Sequence, residues 1–289
     1  MDYELKRMNI ELSSHCNYRC VGCPSSDDRL LRGKGHMDLE LFKKISRQMK
    51  NSLEKTYLWN YGEPLLNPEI EKILDTVGKI SAETILSTNG ALIEDFEDLK
   101  FLLNLDKLII SFNGLDRETY NYHQKGDFDK AVRGLEKAVK ITRDSDTEMV
   151  LQMVVNKKNL EQKEEFFKYS KNVGADKAVL KSFNNMSGEK TIEEQFIPED
   201  ERYSRKKGGR PDYLPCLESM VVNWDGTVVP CCWDYKGEHL LGNIRNNDLY
   251  EVWNSNRFKK FRENIKRREL DICSDCSIET TIEEKDFRK

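Results

Sequence analysis

The chain has no run of eighteen apolar residues, so nothing in it reads as a helix able to cross a bilayer. Its first residues, Met1-Asp2-Tyr3-Glu4-Leu5-Lys6-Arg7, lack the apolar core of a secretion signal, which points to a cytoplasmic protein. Positive charge is not in excess either. A net charge of −4 gives no electrostatic footprint for nucleic acid, and Lys and Arg are interleaved with acids as on solvated helix faces. No internal repeat or low-complexity tract is visible. What is present suits a folded enzyme: 289 residues, 38% hydrophobic and 34% charged, enough for one large domain or one large plus one small. Eight Cys in a reducing compartment point to metal or redox use rather than a disulfide framework.

Three of them, Cys16, Cys20 and Cys23, stand four and then three residues apart in Ser13-Ser14-His15-Cys16-Asn17-Tyr18-Arg19-Cys20-Val21-Gly22-Cys23-Pro24. Such thiolates converge on one inorganic centre, yet they leave a four-iron cluster one ligand short of the usual four Cys. The loop therefore implies an iron kept open for a ligand that is not protein. This spacing resembles that of the radical S-adenosylmethionine (SAM) superfamily, and the resemblance implies that the open iron chelates the amino and carboxylate groups of SAM.

Along the first two-thirds, short apolar runs alternate with helix-period segments. Strands are expected at Met8–Leu12, Lys55–Trp59, Glu83–Leu86, Lys107–Ser111, Met149–Val155 and Lys177–Leu180. Helices are expected at Leu39–Lys50, Asn67–Ile80, Ile93–Asn104, Lys130–Arg143 and Leu160–Val173, with Asp38 as an N-cap, Pro68 opening the second and Gly174 closing the last. Six alternating units imply a parallel sheet, and about 190 residues is short of the ~250 of a closed eight-unit barrel. The expected fold is α/β, a partial (β/α)6 TIM barrel over residues 1–195 followed by a small α+β iron–sulfur domain over 196–289. The superfamily resemblance implies the same open barrel.

Active sites of such sheets lie at the C-terminal strand ends, so the loops there carry the candidates. Gly62-Glu63-Pro64 resembles the family's Gly-Glu-Pro segment, which implies contact with the SAM amino group. Thr88-Asn89-Gly90 resembles the family's Thr-Asn-Gly segment, implying contact with the SAM ribose or carboxylate; Asn-Gly is also a strong turn dipeptide. Ser111-Phe112-Asn113-Gly114 resembles Ser-x-Asp-Gly, with Asn113 in place of the acid and Ser111 as the SAM contact. Gln152, Lys181 and Asn184 are polar lining. Many members carry an aromatic residue before the third Cys; here it is Gly22, so backbone or Tyr18 is left to meet adenine.

Residues 184–210 are polar and without core periodicity, as in a linker. Beyond them Cys216, Cys231, Cys273 and Cys276 accompany two β-branched runs around Asp225-Gly226, a hairpin signal. Four Cys with one Cys-x-x-Cys suit a structural zinc as well as a cluster. The Cys216…Gly226…Cys231 spacing, Leu241-Gly242-Asn243-Ile244, Leu249-Tyr250-Glu251-Val252-Trp253 and the closing Cys-x-x-Cys resemble the SPASM extension of radical SAM enzymes in its shortened "twitch" form. That resemblance implies an auxiliary 4Fe-4S cluster fully ligated by protein.

Together the resemblances imply SAM, two 4Fe-4S clusters and an external donor of the flavodoxin or ferredoxin type. They imply reductive cleavage of SAM to a 5′-deoxyadenosyl radical that takes hydrogen from a small molecule. The layout is similar to twitch-type aminocyclitol dehydrogenases, so the expected reaction is oxidation of an alcohol in a sugar, polyol or cyclitol, with the auxiliary cluster taking an electron. Three rivals stand beside it: a carbohydrate epimerase using Cys232 as hydrogen donor, a peptide-modifying enzyme, and a metal-binding adaptor without turnover. Cys232 also reads as a small buried residue or as an alternative ligand to Cys231. Anaerobically purified protein should hold about eight irons per chain, measured with acid-labile sulfide; about four irons would remove the auxiliary cluster, and zinc alone would remove both.

Overall fold

The computed structural model describes residues 3–26, 29–30, 32–49, 53–186, 189–200, 202–203, 214–267, 269–273 and 281–288. In chain order they form β1 (Arg7–Ile10), α1 (Leu39–Gln48), β2 (Lys55–Tyr57), α2 (Ile70–Val77), β3 (Glu83–Thr88) and β4 (Lys107–Ser111). There follow α3 (Arg117–His123), α4 (Phe128–Thr142), β5 (Glu148–Val155), α5 (Lys163–Val173), β6 (Lys177–Ser182) and α6 (Lys190–Phe196). The chain then gives β7 (Ser219–Val222), β8 (Thr227–Val229), β9 (Gly242–Asn243), α7 (Leu249–Asn254), α8 (Asn256–Arg267) and β10 (Thr281–Asp286). Among the described residues no helix is long and apolar enough to cross a membrane. Contacts group the chain into two compact units, Met1–His15 with Arg29–Thr84 and Lys207–Ile278, and Cys16–Asp28 with Ile85–Lys206 and Glu279–Lys289.

In the first unit β1 is central. Met8 and Ile10 are fully buried while Arg7 and Asn9 are half-exposed, the period-two pattern of a strand. β1 pairs in parallel with β2 (Met8 opposite Thr56) and, on its other edge, with β7 (Met8 opposite Met220). β7, β8 and β9 continue antiparallel. The expected hairpin is thus present, its loop closing at Gly226, and it extends the edge of β1. α1 starts where expected, Asp38 accepting from the Leu41 N–H at 2.8 Å, and buries Leu41, Phe42 and Ile45.

In the second unit β3, β4, β5 and β6 run parallel, and β10 lies antiparallel on the outer edge of β6. β5 buries Met149, Leu151, Met153 and Val155 on one face, while Gln152 and Val154 on the other are half-buried. α5 ends at Gly174 in the left-handed conformation, as expected.

Three expected helices differ. Ile93–Asn104 is two single 3₁₀ turns, Ala91–Asp95 and Lys100–Asn104, because Asp98 accepts from the Lys100 N–H at 2.9 Å and Phe96 is extended, so local side-chain bonding displaces the helix. The second helix begins at Ile70 rather than at Asn67-Pro68: Asn67 spends its Nδ2 on the Leu12 and Met37 carbonyls and its Oδ1 on the Glu69 N–H, holding a turn ahead of α2. The last begins at Lys163 behind a 3₁₀ turn, Leu160–Gln162. α3 was not anticipated; its sequence signal is Asp116, which caps the Thr119 N–H at 2.8 Å.

α4 packs against the turn after β3 through Ala131 and Gly134. A Cβ at Gly134 would stand 2.0 Å from the Gly90 carbonyl oxygen. At an open helix position Gly→Ala gains about 1 kcal/mol; here Gly134→Ala should lower stability by about 1–3 kcal/mol through overpacking, seen as a lower urea midpoint at unchanged slope. A raised midpoint would contradict the contact.

Candidate functional site

The cysteine loop belongs to the second unit, and each of its three Cys is half-buried and outside any disulfide. Its fold is set by backbone bonds: Cys23 N–H to Cys20 O at 3.3 Å, Ser26 N–H to Cys23 O at 3.0 Å, and Tyr18 N–H to Cys16 Sγ at 3.4 Å. The end of α3 clamps it. Val21 N–H donates to His123 O at 2.9 Å, and Cys20 Sγ donates to Gln124 O at 3.4 Å. Gln124 in turn donates from Nε2 to Ser111 O and accepts from Asn113 N–H, so one side chain joins the loop's anchor to the end of β4. Burial pushes the Cys23 thiol up, against the hydrogen bonds from Ser25 and Ser26.

Tyr18 is buried at 2% exposure. Its hydroxyl donates to Asp127 O and accepts from Tyr120, and its ring occupies the space a side chain at Gly126 would need. The space an aromatic residue at position 22 would take is filled by Phe183, whose ring lies 3.1 Å from an ideal Gly22 Cβ. Asn89 donates to Asn17 Oδ1 at 2.8 Å while accepting from Ala91 N–H, so the Asn-Gly turn and a contact with the cysteine loop coexist. Thr88 Oγ1 accepts from Gly90 N–H.

Asn113 is consumed by the fold: Oδ1 accepts from Val154 N–H at 2.7 Å, its carbonyl accepts from Asn159, and Nδ2 therefore faces His123 Nδ1 at 3.1 Å and donates to it. Strand alternation sorts the rest. Ser111 pairs with Gln152, Gln152 with Val179 and Val154 with Lys181, and these share one half-buried face with Ser87. Thr88, paired with Ile110, lies on the opposite, fully buried face. Ser87, Ser111, Gln152 and Lys181 therefore form a polar row in the C-terminal halves of their strands, interrupted by Ile109, Val154 and Val179. Ser87 was missed, although period two from Ile85 marks it. Asn184 follows β6.

In the first unit Gly62 has φ 85° and its absent Cβ would stand 2.3 Å from Ser13 O, so only Gly fits. Glu63 N–H donates to His15 O at 2.7 Å. Its carboxylate, 2% exposed, accepts from Leu65 N–H at 3.1 Å, and Pro64 starts that turn. The sequence reading also passed over Glu11. Fully buried, it takes a bidentate pair from Arg32 at 2.5 and 2.6 Å and accepts from the N–H groups of Tyr61 and Trp224. Burial pushes this carboxyl up, and the Arg32 guanidinium and the two N–H donors pull it back.

The second cysteine group also lies in the first unit. Cys216 precedes β7 and Cys231 follows β8; the Val221–Val229 register, extended, sets Cys231 opposite Ser219. The open end of the hairpin thus holds both. Cys273 ends the turn Asp271–Cys273, and Cys276 lies outside the described residues. Cys232 is exposed, and its carbonyl accepts from the Tyr61 hydroxyl. Among the described residues no three His, Cys, Asp or Glu close on a single ion. A cluster is wider than an ion, and the thiols of each group are the donor chemistry it takes.

The radical SAM superfamily matches residues 10–170, and the SPASM iron–sulfur cluster-binding domain matches residues 216–277. A tungsten-containing aldehyde ferredoxin oxidoreductase cofactor-modifying protein of Pyrococcus furiosus is 27% identical, covering 95% of this chain and 88% of that protein. The S-adenosyl-L-methionine-dependent 2-deoxy-scyllo-inosamine dehydrogenase of Niallia circulans is 24% identical over 96% of this chain and 94% of its own. Streptococcus suis SuiB, solved bound to precursor peptide SuiA, shares the fold with TM-score 0.68 at 13% identity, covering 96% of this chain and 71% of that one.

Burial pushes His123 down to about 4, below its ordinary 6.5. The fold therefore favours the neutral ring; that contribution is complete near neutrality and is lost as pH falls through 6.5 towards 4. His123→Gln keeps an acceptor for Asn113 but does not titrate. Between about pH 7 and 4 the wild type should lose about 3 kcal/mol more unfolding free energy than this variant, read by denaturant titration; equal losses would contradict the burial.

Proposed function

The chain belongs to the radical SAM superfamily, and from that premise we propose that it oxidises an alcohol carbon of a hydroxylated small molecule, a sugar, polyol or aminocyclitol. The polar row Ser87, Ser111, Gln152 and Lys181 carries this reading, because hydroxyl, amide and ammonium groups on one face match the donors and acceptors of a polyol. Residues 1–195 serve SAM and substrate; residues 196–289 serve the auxiliary centre. Cys16, Cys20 and Cys23 would hold the first cluster, and Cys216, Cys231, Cys273 and Cys276 the second. When bound, the first with SAM supplies hydrogen abstraction and the second accepts one electron.

The protein's own work is binding, orientation and proton management. Gly62-Glu63-Pro64 offers backbone and carboxylate to the SAM amino group, and Asn89 steadies the cysteine loop through Asn17. Ser111 offers its hydroxyl to SAM or substrate, while Thr88 supports the turn. Tyr18 positions the loop from behind, through Asp127 and Tyr120. The alcohol loses a hydrogen atom, a proton and an electron, and becomes a ketone or aldehyde. A reduced flavodoxin or ferredoxin in the cytoplasm starts each turnover.

One observation favours a second reading: Cys232 is exposed, as a thiol hydrogen donor must be. An epimerase would then restore hydrogen to the opposite face of the same carbon. Carbon-deuterated polyols separate the two. Deuterium should appear in 5′-deoxyadenosine together with a carbonyl product, and Cys232→Ala should leave that yield unchanged. An inverted alcohol that disappears in Cys232→Ala would establish the epimerase instead.

A further inference from the structure

α8 departs from the charge balance of the chain. Between Asn256 and Arg267 it carries Lys or Arg at 257, 259, 260, 262, 266 and 267 against one acid, Glu263, in a protein of net charge −4. Arg262 is buried against Trp253, its guanidinium 3.6 Å from the ring centroid, and so stays out of the surface field. The others are exposed. Arg257, Lys260, Asn264 and Arg267 recur at i, i+3, i+7 and i+10, one stripe along the helix. Lys260 and Arg267 meet no acid among the described residues.

Arg257, Lys260 and Asn264 of that stripe line a groove of ≈ 420 Å³ between α8 and the segment Gly237–Leu241, together with Phe261, Leu270 and one acid, Glu238. Leu240, 45% exposed, stands on the facing rim, where Arg257 donates to its carbonyl at 3.2 Å. The groove is flanked in sequence by the second cysteine group: Cys231 and Cys232 lead into Gly237, and Cys273 follows Leu270. Asp234 keeps that lead-in folded, its carboxylate accepting from the N–H groups of Glu238 and His239.

We infer that this basic, partly apolar surface is the docking site of an acidic one-electron carrier protein of the flavodoxin or ferredoxin class. The inference rests on the function proposed above. Each turnover takes one electron from the reduced carrier and returns one to its oxidised form, so the carrier must meet the chain where electrons leave it, beside the second cysteine group. Cations placed against an acidic partner raise the encounter rate, and an exposed Leu within a polar rim supplies short-range contact. A nucleic-acid partner fits less well, because the net charge of the whole chain is negative.

The test uses the cluster-loaded full chain and a purified acidic flavodoxin, with association followed by stopped-flow and by cross-linking. The double variant Lys260→Glu/Arg267→Glu should slow association roughly tenfold at low ionic strength, the difference closing as salt screens it. The same charge change on α5, Lys168→Glu/Lys171→Glu, should leave association as in the wild type. SAM cleavage driven by dithionite, which needs no docking, should be equal in all three proteins. Wild-type association in the α8 variant would overturn the docking site, as would flavodoxin that fails to bind while single-stranded RNA does. No 5′-deoxyadenosine from the wild type with dithionite would instead overturn the proposed function, and binding would still report on the surface.

Discussion

The carboxylate of Glu11 sets the conditions for the first unit. A charge wholly out of water must be compensated, and here the compensation comes from three different segments: the Arg32 guanidinium, the Tyr61 N–H and the Trp224 N–H. Compared with an apolar core of the same volume, a buried pair adds little net stability, but losing one partner is costly. Its consequence is specificity. The tip of β1 accepts only an arrangement in which the segment before Gly62 and the loop of the β7–β8 hairpin both present backbone N–H groups to it. Gly62 then tightens the same corner, since no side chain fits between it and Ser13 O.

The second unit solves a related problem with neutral groups. The cysteine loop has little regular structure of its own, so its backbone has to be held from behind. The end of α3 does this: His123 O and Gln124 O reach the loop, Gln124 reaches β4, and Asn113 ties His123 to β5. An acid at position 113 could not donate to His123 Nδ1 while accepting from Val154 N–H. The Asn that departs from the family's Ser-x-Asp-Gly pattern is thus matched to a neutral, buried imidazole.

What the sequence revealed and what it hid divide along physical lines. Features carried by a few consecutive residues were legible: the cysteine spacing, the Gly-Glu-Pro turn, the Asp225-Gly226 hairpin, the Asp38 cap and the strand runs. Features that need a distant partner were not. Nothing in Ser219–Val222 announces a parallel pairing with β1, and nothing in Thr281–Asp286 announces the edge of β6. Glu11 looked like one polar residue in an apolar strand because Arg32 and Trp224 are remote in sequence. Ser87 was overlooked in favour of Thr88 because a motif was weighed where strand alternation decides which side chain faces which way. Gly22 looked like an empty place in the loop because Phe183, which fills the space beside it, comes from the loop after β6.

The placement of the second cysteine group follows from the same long-range pairing. Because β7 docks on β1, the hairpin that carries Cys216 and Cys231 is built on the edge of β1. Tyr61 makes the join concrete, with its N–H on Glu11 and its hydroxyl on the Cys232 carbonyl. A shift in the Cys231–Cys232 turn therefore pulls on the residue directly before Gly62-Glu63-Pro64. Within this one unit, the segment assigned to SAM and the turn assigned to the auxiliary centre cannot be adjusted independently. That constraint is local to the first unit: Glu11, Tyr61 and the Cys231–Cys232 turn move as one packed corner.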